Sequence, residues 1–251
     1  MDWRGHSNHK CSVRSSGECP GYSGRMPSDS TKSKIPRDRR LRVTELYASV
    51  QGESTHVGKP CLFIRLTGCN LRCGWCDSEF TFSGGVNRDL LEVVEEAHAY
   101  GIHTIEITGG EPLLQKTAIP LMEKLLGLGH EVLLETSGSL PIDPVPDDVH
   151  IIMDLKCPDS GEEDANLWSN VDALQANDEV KFVIASRKDY EWARKVTGDR
   201  SLAERCEVLF SPVWGAVEPA SLVAWIVEDR LPVRFQLQVH KVIWPPDARG
   251  V

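Results

Sequence analysis

From position 41 onward, short runs rich in β-branched and aromatic residues alternate with longer segments of helical periodicity. This alternation is typical of a parallel sheet whose strands are joined by crossover helices. The runs with the composition of strands are 41–50, 61–66, 104–108, 131–135, 150–155, 178–184, 207–210 and 234–238. The pattern predicts an α/β fold with five or six β/α units.

The segments between these runs set the size of the fold. Helical periodicity covers 87–100, 118–128, 167–176, 187–197 and 219–228, and Asn87-Arg88-Asp89 offers an N-cap to the first of them. A closed barrel of eight units takes about 250 residues, whereas 251 minus the first 40 leaves 211. We therefore expect a partial, open β/α barrel with its ligands at the carboxyl ends of the strands.

The first 40 residues differ from the rest in charge and composition. They hold nine Lys and Arg against four Asp and Glu, a net charge of +5, so that the remainder contributes −14 to the total of −9. With no apolar periodicity, residues 1–40 are predicted to be a disordered basic tail preceding one domain over 41–251. The acidic domain argues against nucleic-acid binding. The absence of a long apolar run or apolar signal segment predicts a cytoplasmic protein without a membrane partner.

Eight cysteines in such a chain are better explained as metal ligands, nucleophiles or buried thiols than as a disulfide framework. Cys11 and Cys19 fall in the predicted tail, and we expect no structural role for them. Cys69, Cys73 and Cys76 share one loop directly after a predicted strand, and a loop can bring three thiolates to one centre. Three thiolates on a cubane cluster leave one iron open to an exogenous ligand.

The same three cysteines allow another interpretation. A structural zinc site needs a fourth ligand, which Cys61, Cys157 or a distant histidine would supply. The spacing alone does not decide between zinc and an iron-sulfur cluster.

The CxxxCxxC spacing, with the aromatic Trp75 just before its last cysteine, resembles the radical S-adenosylmethionine superfamily. The resemblance implies that Cys69, Cys73 and Cys76 hold a catalytic [4Fe-4S] cluster whose open iron is chelated by S-adenosyl-L-methionine. In that superfamily an electron from the cluster breaks the sulfonium C–S bond. The products are methionine and a 5′-deoxyadenosyl radical that abstracts hydrogen from the substrate.

Polar residues at the ends of later strands fit the same resemblance. Gly109-Gly110-Glu111 is similar to the superfamily's GGE motif, which contacts the methionine amino group. Taken alone, the two glycines also suit a turn, Ser137 a helix cap and Lys156 the surface. The expected cofactor contacts are Trp75, Cys76, Asp77, Gly110, Glu111, Ser137, Asp154, Lys156 and Ser211.

Further motifs resemble the 7-carboxy-7-deazaguanine synthase family of queuosine and deazapurine biosynthesis. They are Ser49-Val50-Gln51-Gly52-Glu53, Phe63-x-Arg65, Trp75-Cys76-Asp77-Ser78 and Gln238-Val239-His240-Lys241. The resemblance implies a carbon-nitrogen lyase acting on 6-carboxy-5,6,7,8-tetrahydropterin. Radical ring contraction with loss of ammonia would give 7-carboxy-7-deazaguanine.

The resemblance also implies a substrate set and a magnesium ligand. An Arg65 guanidinium suits the substrate carboxylate, and Ser78 offers Mg²⁺ a hydroxyl beside the cluster. The family often has Gly at Ser54 and Thr at Ser78, and the serine at 78 keeps the hydroxyl. The expected substrate contacts are Val50, Gln51, Gly52, Glu53, Arg65, Thr108 and His240.

Partners follow from the resemblance as well. It implies a reducing partner such as flavodoxin or ferredoxin and a homodimer, and the exposed strand edges of an incomplete barrel would gain from pairing. Two other functions stay open at this point. A glycyl-radical-enzyme activase of the same superfamily would need the cysteine loop but not the Gln51, Glu53, Arg65 and His240 set. A zinc-stabilised binding module would use the cysteines only for structure.

Overall fold

The computed structural model describes residues 35–251 and arranges nine strands of this part of the chain in one sheet. The strands are β1 (Arg40–Val50), β2 (Pro60–Leu66), β3 (Val86–Asp89), β4 (Thr104–Gly109), β5 (Glu131–Thr136), β6 (His150–Asp154), β7 (Glu179–Ile184), β8 (Glu207–Pro212) and β9 (Arg234–Phe235). Their spatial order is β3-β1-β2-β4-β5-β6-β7-β8-β9. Residues 1–34, with Cys11, Cys19 and most of the predicted tail, lie outside the described residues.

The sheet is parallel from β2 through β9, whereas β1 pairs antiparallel with β2 and β3 pairs antiparallel with β1. The edges β3 and β9 are not paired with each other, which makes the sheet open and confirms the predicted open α/β architecture. The helices that follow the strands are α1 (Leu90–Ala99), α2 (Ala118–Gly127), α3 (Ser169–Ala173), α4 (Arg187–Asp199), α5 (Leu202–Arg205), α6 (Pro219–Asp229) and α7 (His240–Ile243). None of the helices over 35–251 is long and apolar enough to cross a membrane.

The start of the first predicted helix is wrong. Val86–Asp89 form β3, which lies against the first half of β1, while the second half of β1 pairs with β2. The 11-residue β1 is long enough to serve both neighbours. The helix α1 begins at Leu90, and Asp89, the last residue of the predicted N-cap tripeptide, is its N-cap, with the carboxylate accepting the Leu91 N–H at 2.9 Å.

The two faces of the strands differ in chemistry. In β4, Ile105 and Ile107 are fully buried in the main apolar core, whereas Glu106 between them lines a cavity on the other face. In β7, Phe182 belongs to the core and Lys181 lines the cavity. Because side chains alternate along a strand, the apolar positions face the helices and the polar positions face the inside of the open barrel.

The predicted boundary at residue 40 falls within the described unit, which begins at Ile35. Arg37–Arg39 form a 3-10 turn, and the Arg39 guanidinium pairs with the Asp89 carboxylate at 2.6 Å. This pair links the chain just before β1 to the end of β3.

Candidate active site

A cavity of about 640 Å³ occupies the inside of the open barrel. Its walls come from the inner faces of the strands, the cysteine loop after β2, the segment after β1 and the carboxyl-terminal segment. It brings together most of the residues that the sequence predicted as a site. These are Val50, Gln51, Gly52, Glu53, Arg65, Cys73, Trp75, Cys76, Asp77, Ser78, Thr108, Gly110, Ser137, Asp154, Lys156 and His240.

Three predicted site residues do not line this cavity: Cys69, Glu111 and Ser211. Glu111 is buried, and its carboxylate accepts hydroxyl hydrogen bonds from Thr136 at 2.9 Å and Ser137 at 2.5 Å. It therefore fixes the Ser137 side chain at the cavity wall. Ser211 is buried too, and within the part of the chain that the structure describes its hydroxyl has no hydrogen-bond partner.

The cysteine loop packs directly against the end of β4. The Glu111 N–H donates to the Gly68 carbonyl at 2.8 Å. A Cβ on Gly110 would lie 2.3 Å from the Gly68 carbonyl oxygen and 2.6 Å from the Cys69 Cβ, contacts that no real side chain makes. The paired glycines are thus needed for the close approach of the loop to the sheet.

The three loop cysteines are free thiols of intermediate exposure. Burial raises the pKa of Cys73 and Cys76, and the Lys156 ammonium opposes that rise at both thiols. Lys156 pairs with Asp154 at 2.7 Å, and both lie on the cavity wall. These thiols keep their protons until a metal displaces them, and the nearby ammonium favours the thiolates that a metal needs.

Cys61 does not fit the fourth position of a closed zinc site. It lies at the amino-terminal end of β2 and is fully buried, whereas the cysteine loop follows the carboxyl-terminal end of the same strand. Five further residues of extended strand, at about 3.3 Å each, separate Cys61 from Leu66. The donor set that the loop offers from this strand is three thiols, as a cluster with one open iron requires.

Charged groups form the floor of the cavity. The Lys181 ammonium lies between the carboxylates of Glu53, at 2.8 Å, and Glu135. The Gln51 amide donates to the Glu106 carboxyl and accepts the Glu53 N–H at 2.9 Å. We call these five residues the charged floor.

The charged floor holds its groups in different protonation states. Burial raises the pKa of Glu106 to about 8, and the neighbouring carboxylates of Glu135 and Glu53 add to the rise. Burial also acts to raise the pKa of Glu53, but Lys181 and His240 outweigh it and the net shift is downward. The floor therefore carries a proton on Glu106 at neutral pH beside an ionised Glu53 and a cationic Lys181.

Glu106, Glu135 and Lys181 were not predicted from the sequence. Each is a charged residue at an inner position of a strand, next to at least one buried apolar outer position, as in Ile105-Glu106-Ile107. That alternation was the signal available in the sequence. It identifies the inner face but not which inner residues meet across the barrel.

Arg65 is oriented by β1. Its Nε donates to Glu45 at 2.8 Å and its Nη2 donates to the Tyr47 hydroxyl at 2.8 Å. Tyr47 stacks on Phe63 with ring centroids 5.1 Å apart. Among residues 35–251 the Nη1 group has no hydrogen-bond partner, so it can still donate to a ligand in the cavity. Glu45 and Tyr47, which hold the guanidinium, were not predicted.

The carboxyl-terminal segment closes the open side of the barrel. After β9, the Val239 N–H donates to the Gly52 carbonyl at 2.9 Å, and the Lys241 ammonium pairs with Asp77 at 2.6 Å. Burial acts to raise the pKa of Asp77, but Lys241 outweighs it and holds that pKa at about 2. A segment that follows one sheet edge thus contacts both the loop after β1 and the cysteine loop. The strand predicted over 234–238 ends in the structure at Phe235, and the chain after it leads into this contact.

The sequence of this chain is similar to the sequences of known proteins. Residues 63–196 match the model of the radical SAM superfamily. A 7-carboxy-7-deazaguanine synthase of Koribacter versatilis is 46% identical over 226 residues, covering 84% of this chain and all of that protein. Another, from Chlorobaculum tepidum, is 42% identical over 215 residues, covering 84% of this chain and 97% of that protein. The chain belongs to the 7-carboxy-7-deazaguanine synthase family of the radical SAM superfamily.

A solved structure agrees on the fold. The crystal structure of QueE from Escherichia coli superposes with a TM-score of 0.67 at 21% identity, covering 80% of this chain and 95% of that one. The predicted family, fold class and enzyme class are confirmed. Membership of the superfamily implies an iron-sulfur cluster and S-adenosylmethionine, and the three free thiols beside the cavity fit that pair.

Proposed function

We propose that this chain converts 6-carboxy-5,6,7,8-tetrahydropterin into 7-carboxy-7-deazaguanine with loss of ammonia. The observation that carries this proposal is the near-complete coverage of two 7-carboxy-7-deazaguanine synthases at more than 40% identity. The cavity supports it, because one wall carries the cysteine loop and the floor carries hydrogen-bonding groups for a polar bicyclic ring.

Cys69, Cys73 and Cys76 are the residues that would hold the cluster. The cluster and S-adenosylmethionine, when bound, supply the 5′-deoxyadenosyl radical that begins the reaction. Ser137 and Lys156 lie on the cavity wall and would orient the polar groups of the cofactor. The proposed cofactor contacts are Trp75, Cys76, Asp77, Gly110, Ser137, Asp154 and Lys156, with Glu111 acting through Ser137. The predicted contact of Ser211 stays a prediction.

The substrate would bind between the charged floor and Arg65. The Nη1 group of Arg65, which has no hydrogen-bond partner among residues 35–251, suits the substrate carboxylate, because a charge-assisted hydrogen bond is about twice as strong as a neutral one. The floor offers both a protonated carboxyl at Glu106 and a carboxylate at Glu53, which match the donor and acceptor edge of a pterin. Val50, Gly52, Thr108 and His240 complete the proposed substrate contacts.

Ser78 is the proposed magnesium ligand. Its hydroxyl lies on the cavity wall and donates to Asp77 at 2.9 Å. Mg²⁺ prefers oxygen ligands and retains several waters, so one hydroxyl and the substrate can complete its shell. Asp77, already paired with Lys241, would orient this hydroxyl.

The remaining predictions concern partners and location. We propose a homodimer and a flavodoxin-like or ferredoxin-like electron donor on the basis of the family. The cytoplasmic location, and queuosine biosynthesis as the pathway, stay predictions. Sedimentation of the cluster-loaded protein would measure the oligomeric state.

The test of the proposed function is a turnover assay. Anaerobic, reduced protein is incubated with S-adenosylmethionine, Mg²⁺ and the carboxytetrahydropterin, and the products are identified by mass spectrometry. We expect 7-carboxy-7-deazaguanine and ammonia in equal amounts. Cleavage of S-adenosylmethionine without any deazapurine would contradict the proposed substrate and favour the glycyl-radical-enzyme activase.

A further inference from the structure

A second cluster of side chains that can bind a metal lies at the amino-terminal ends of the parallel strands. The cysteine loop lies at their opposite, carboxyl-terminal ends. His150 is the first residue of β6, Glu179 is the first residue of β7, and His56 comes from the segment between β1 and β2. Their ligand atoms all lie within 4.8 Å of one another. His56 and Glu179 are buried, and the two imidazole rings meet edge to face with centroids 4.7 Å apart.

The segment that carries His56 is folded toward these strands. Val50 pairs with Pro60, so residues 51–59 start and finish at the amino-terminal end of the sheet. Thr55 reaches Glu179, where its N–H donates to the carboxylate at 3.0 Å and its hydroxyl also donates. The segment therefore spans from β1 to β7 and closes the amino-terminal end of the barrel. We call it the plug segment.

The backbone of the plug segment aims His56 inward. Ser54 has a φ of 62°, a left-handed conformation that favours glycine. Its hydroxyl accepts the His56 N–H at 3.0 Å, which offsets part of that strain. Glycine adopts this conformation without strain, whereas Ser54 adds a hydrogen bond to the residue that carries the imidazole.

The two nitrogens of His56 have separate environments. Its Nε2 lies 3.1 Å from the Glu131 carboxylate, and its Nδ1 lies 3.4 Å from the Thr55 hydroxyl that also contacts Glu179. Nδ1 is therefore the nitrogen left for a metal, on the side of the Thr55–Glu179 hydrogen bond. A metal-ligating histidine almost always donates its other nitrogen to a carboxylate or carbonyl, and Glu131 occupies that outer position.

The outer carboxylate is itself fixed. The Thr104 hydroxyl donates to Glu131 at 2.6 Å, and the Lys59 ammonium lies 3.3 Å from it. Lys59, Thr104 and Glu131 also line a second cavity at the amino-terminal end of the strands. On the other side, His150 Nε2 lies 2.8 Å from a Glu179 oxygen, a contact that an ion would replace.

We propose that His56, His150 and Glu179 bind one divalent transition-metal ion, with zinc as the ion that best matches the ligands. Two imidazoles and one carboxylate suit zinc, whereas calcium and magnesium prefer all-oxygen shells. The ion ties the plug segment to β6 and β7. Gln51 and Glu53 lie on the same segment and belong to the charged floor. The ion therefore also holds these two residues in place, from the amino-terminal end of the barrel. The proposal does not depend on the identity of the substrate.

The test measures zinc on the holoenzyme. Cluster-loaded protein is dialysed anaerobically against micromolar zinc, and zinc, iron and sulfide are counted per chain. We expect one zinc per chain with iron and sulfide unchanged, and a rise in the melting temperature. His56→Ala and His150→Ala should each lose that zinc. Glu131→Gln should weaken binding about tenfold or more by removing the outer carboxylate.

The control is another histidine pair. His98 Nδ1 lies 3.0 Å from His130 Nε2 on the surface, so His98→Ala removes a possible zinc site elsewhere and should leave the zinc count unchanged. Wild-type protein that takes up no zinc would overturn the proposal. The proposal would also be overturned if the zinc were lost in His98→Ala but kept in His56→Ala and His150→Ala. The zinc count of the wild-type protein tests the proposal even if a variant fails to fold. This count does not depend on whether the enzyme turns over the proposed substrate.

Discussion

Lys181 is the cation of the charged floor, and its side chain is 5% exposed, with the ammonium between two carboxylates. Lys181→Met would leave the half-buried carboxyl groups of Glu53 and Glu135 together without a counter-charge. Removing one partner of a buried pair costs about 3 kcal/mol or more. We expect a loss of that size in the free energy of unfolding, measured by chemical denaturation at neutral pH.

The matched control for Lys181 is Lys188, which pairs with Asp159 at 2.8 Å on the surface, where the lysine side chain is 68% exposed. Exposed pairs contribute at most about 1 kcal/mol. Lys188→Met should therefore have little effect. Equal losses in the two variants would show that the floor pair is no stronger than a surface pair.

Glu106 makes stability depend on pH. Its pKa is raised from 4.5 to about 8, so the folded state binds more protons than the unfolded state between these values. The stabilisation is fully present below the lower value and is lost as pH rises through the upper one. Glu106→Gln should flatten the fall in unfolding free energy over this window. The exposed Glu123→Gln on α2 should keep the wild-type slope, and an unchanged slope in Glu106→Gln would contradict the assigned protonation state.

Arg65 should act on the substrate and not on the cluster. Arg65→Ala removes the charge-assisted hydrogen bond to the substrate carboxylate, so we expect turnover of the pterin to fall by about tenfold or more. Cleavage of S-adenosylmethionine without substrate should be unchanged, because the cysteine loop is intact. Arg88→Ala, which removes a surface pair with Glu96, is the control. Equal losses of both reactions in Arg65→Ala would remove Arg65 from the substrate site.

Residues within local motifs could be predicted, while residues that meet through the fold could not. The cysteine loop and Gln51-Gly52-Glu53 are continuous in the sequence, and most of their side chains line one cavity. Lys181 is 128 positions from Glu53, and only strand order and register bring them together. The partners of Arg65 on β1 were missed for the same reason.

At the scale of elements, the contact between the plug segment and the carboxyl-terminal segment depends on Gly52. A Cβ there would lie 2.4 Å from the His240 Nδ1. Gly52→Ala should displace His240, cost about 1–3 kcal/mol of stability, and raise the KM for the pterin while the iron content stays the same. The measurements are thermal unfolding and steady-state kinetics.

Gly127→Ala is the matched control, because a Cβ at this exposed position in α2 meets nothing within 4 Å. Alanine favours a helix over glycine by up to about 1 kcal/mol, so this variant should be as stable as wild type or slightly more so. A Gly52→Ala protein with unchanged KM and stability would show that His240 does not need this close approach.

Elements with strong periodicity were predicted well, and those that depend on pairing were not. The runs that became β2 and β4 through β8 needed only apolar composition to be recognised. The four-residue β3 has the sequence Val-Asn-Arg-Asp, which has little strand character, and it forms because β1 extends beyond β2. Helix α3 is also shorter than predicted, because the backbone turns extended at Leu174.

At the scale of the whole described unit, the open barrel is closed by two segments that are not strands. The plug segment covers the amino-terminal end, and the residues after β9 reach from one sheet edge to Gly52 and Asp77. The alternation of strands and helices predicted the open sheet. It could not predict these closures, because their contacts are specific hydrogen bonds and ion pairs between distant parts of the chain.

The cluster of a radical enzyme is assigned to the three free thiols of the loop beside the cavity, Cys69, Cys73 and Cys76. Anaerobic purification followed by iron and acid-labile sulfide analysis tests this assignment most directly. We expect about four iron and four sulfide per chain, with both lost in Cys69→Ser, Cys73→Ser or Cys76→Ser. A colourless wild-type protein with zinc at the cysteines and no sulfide would contradict it.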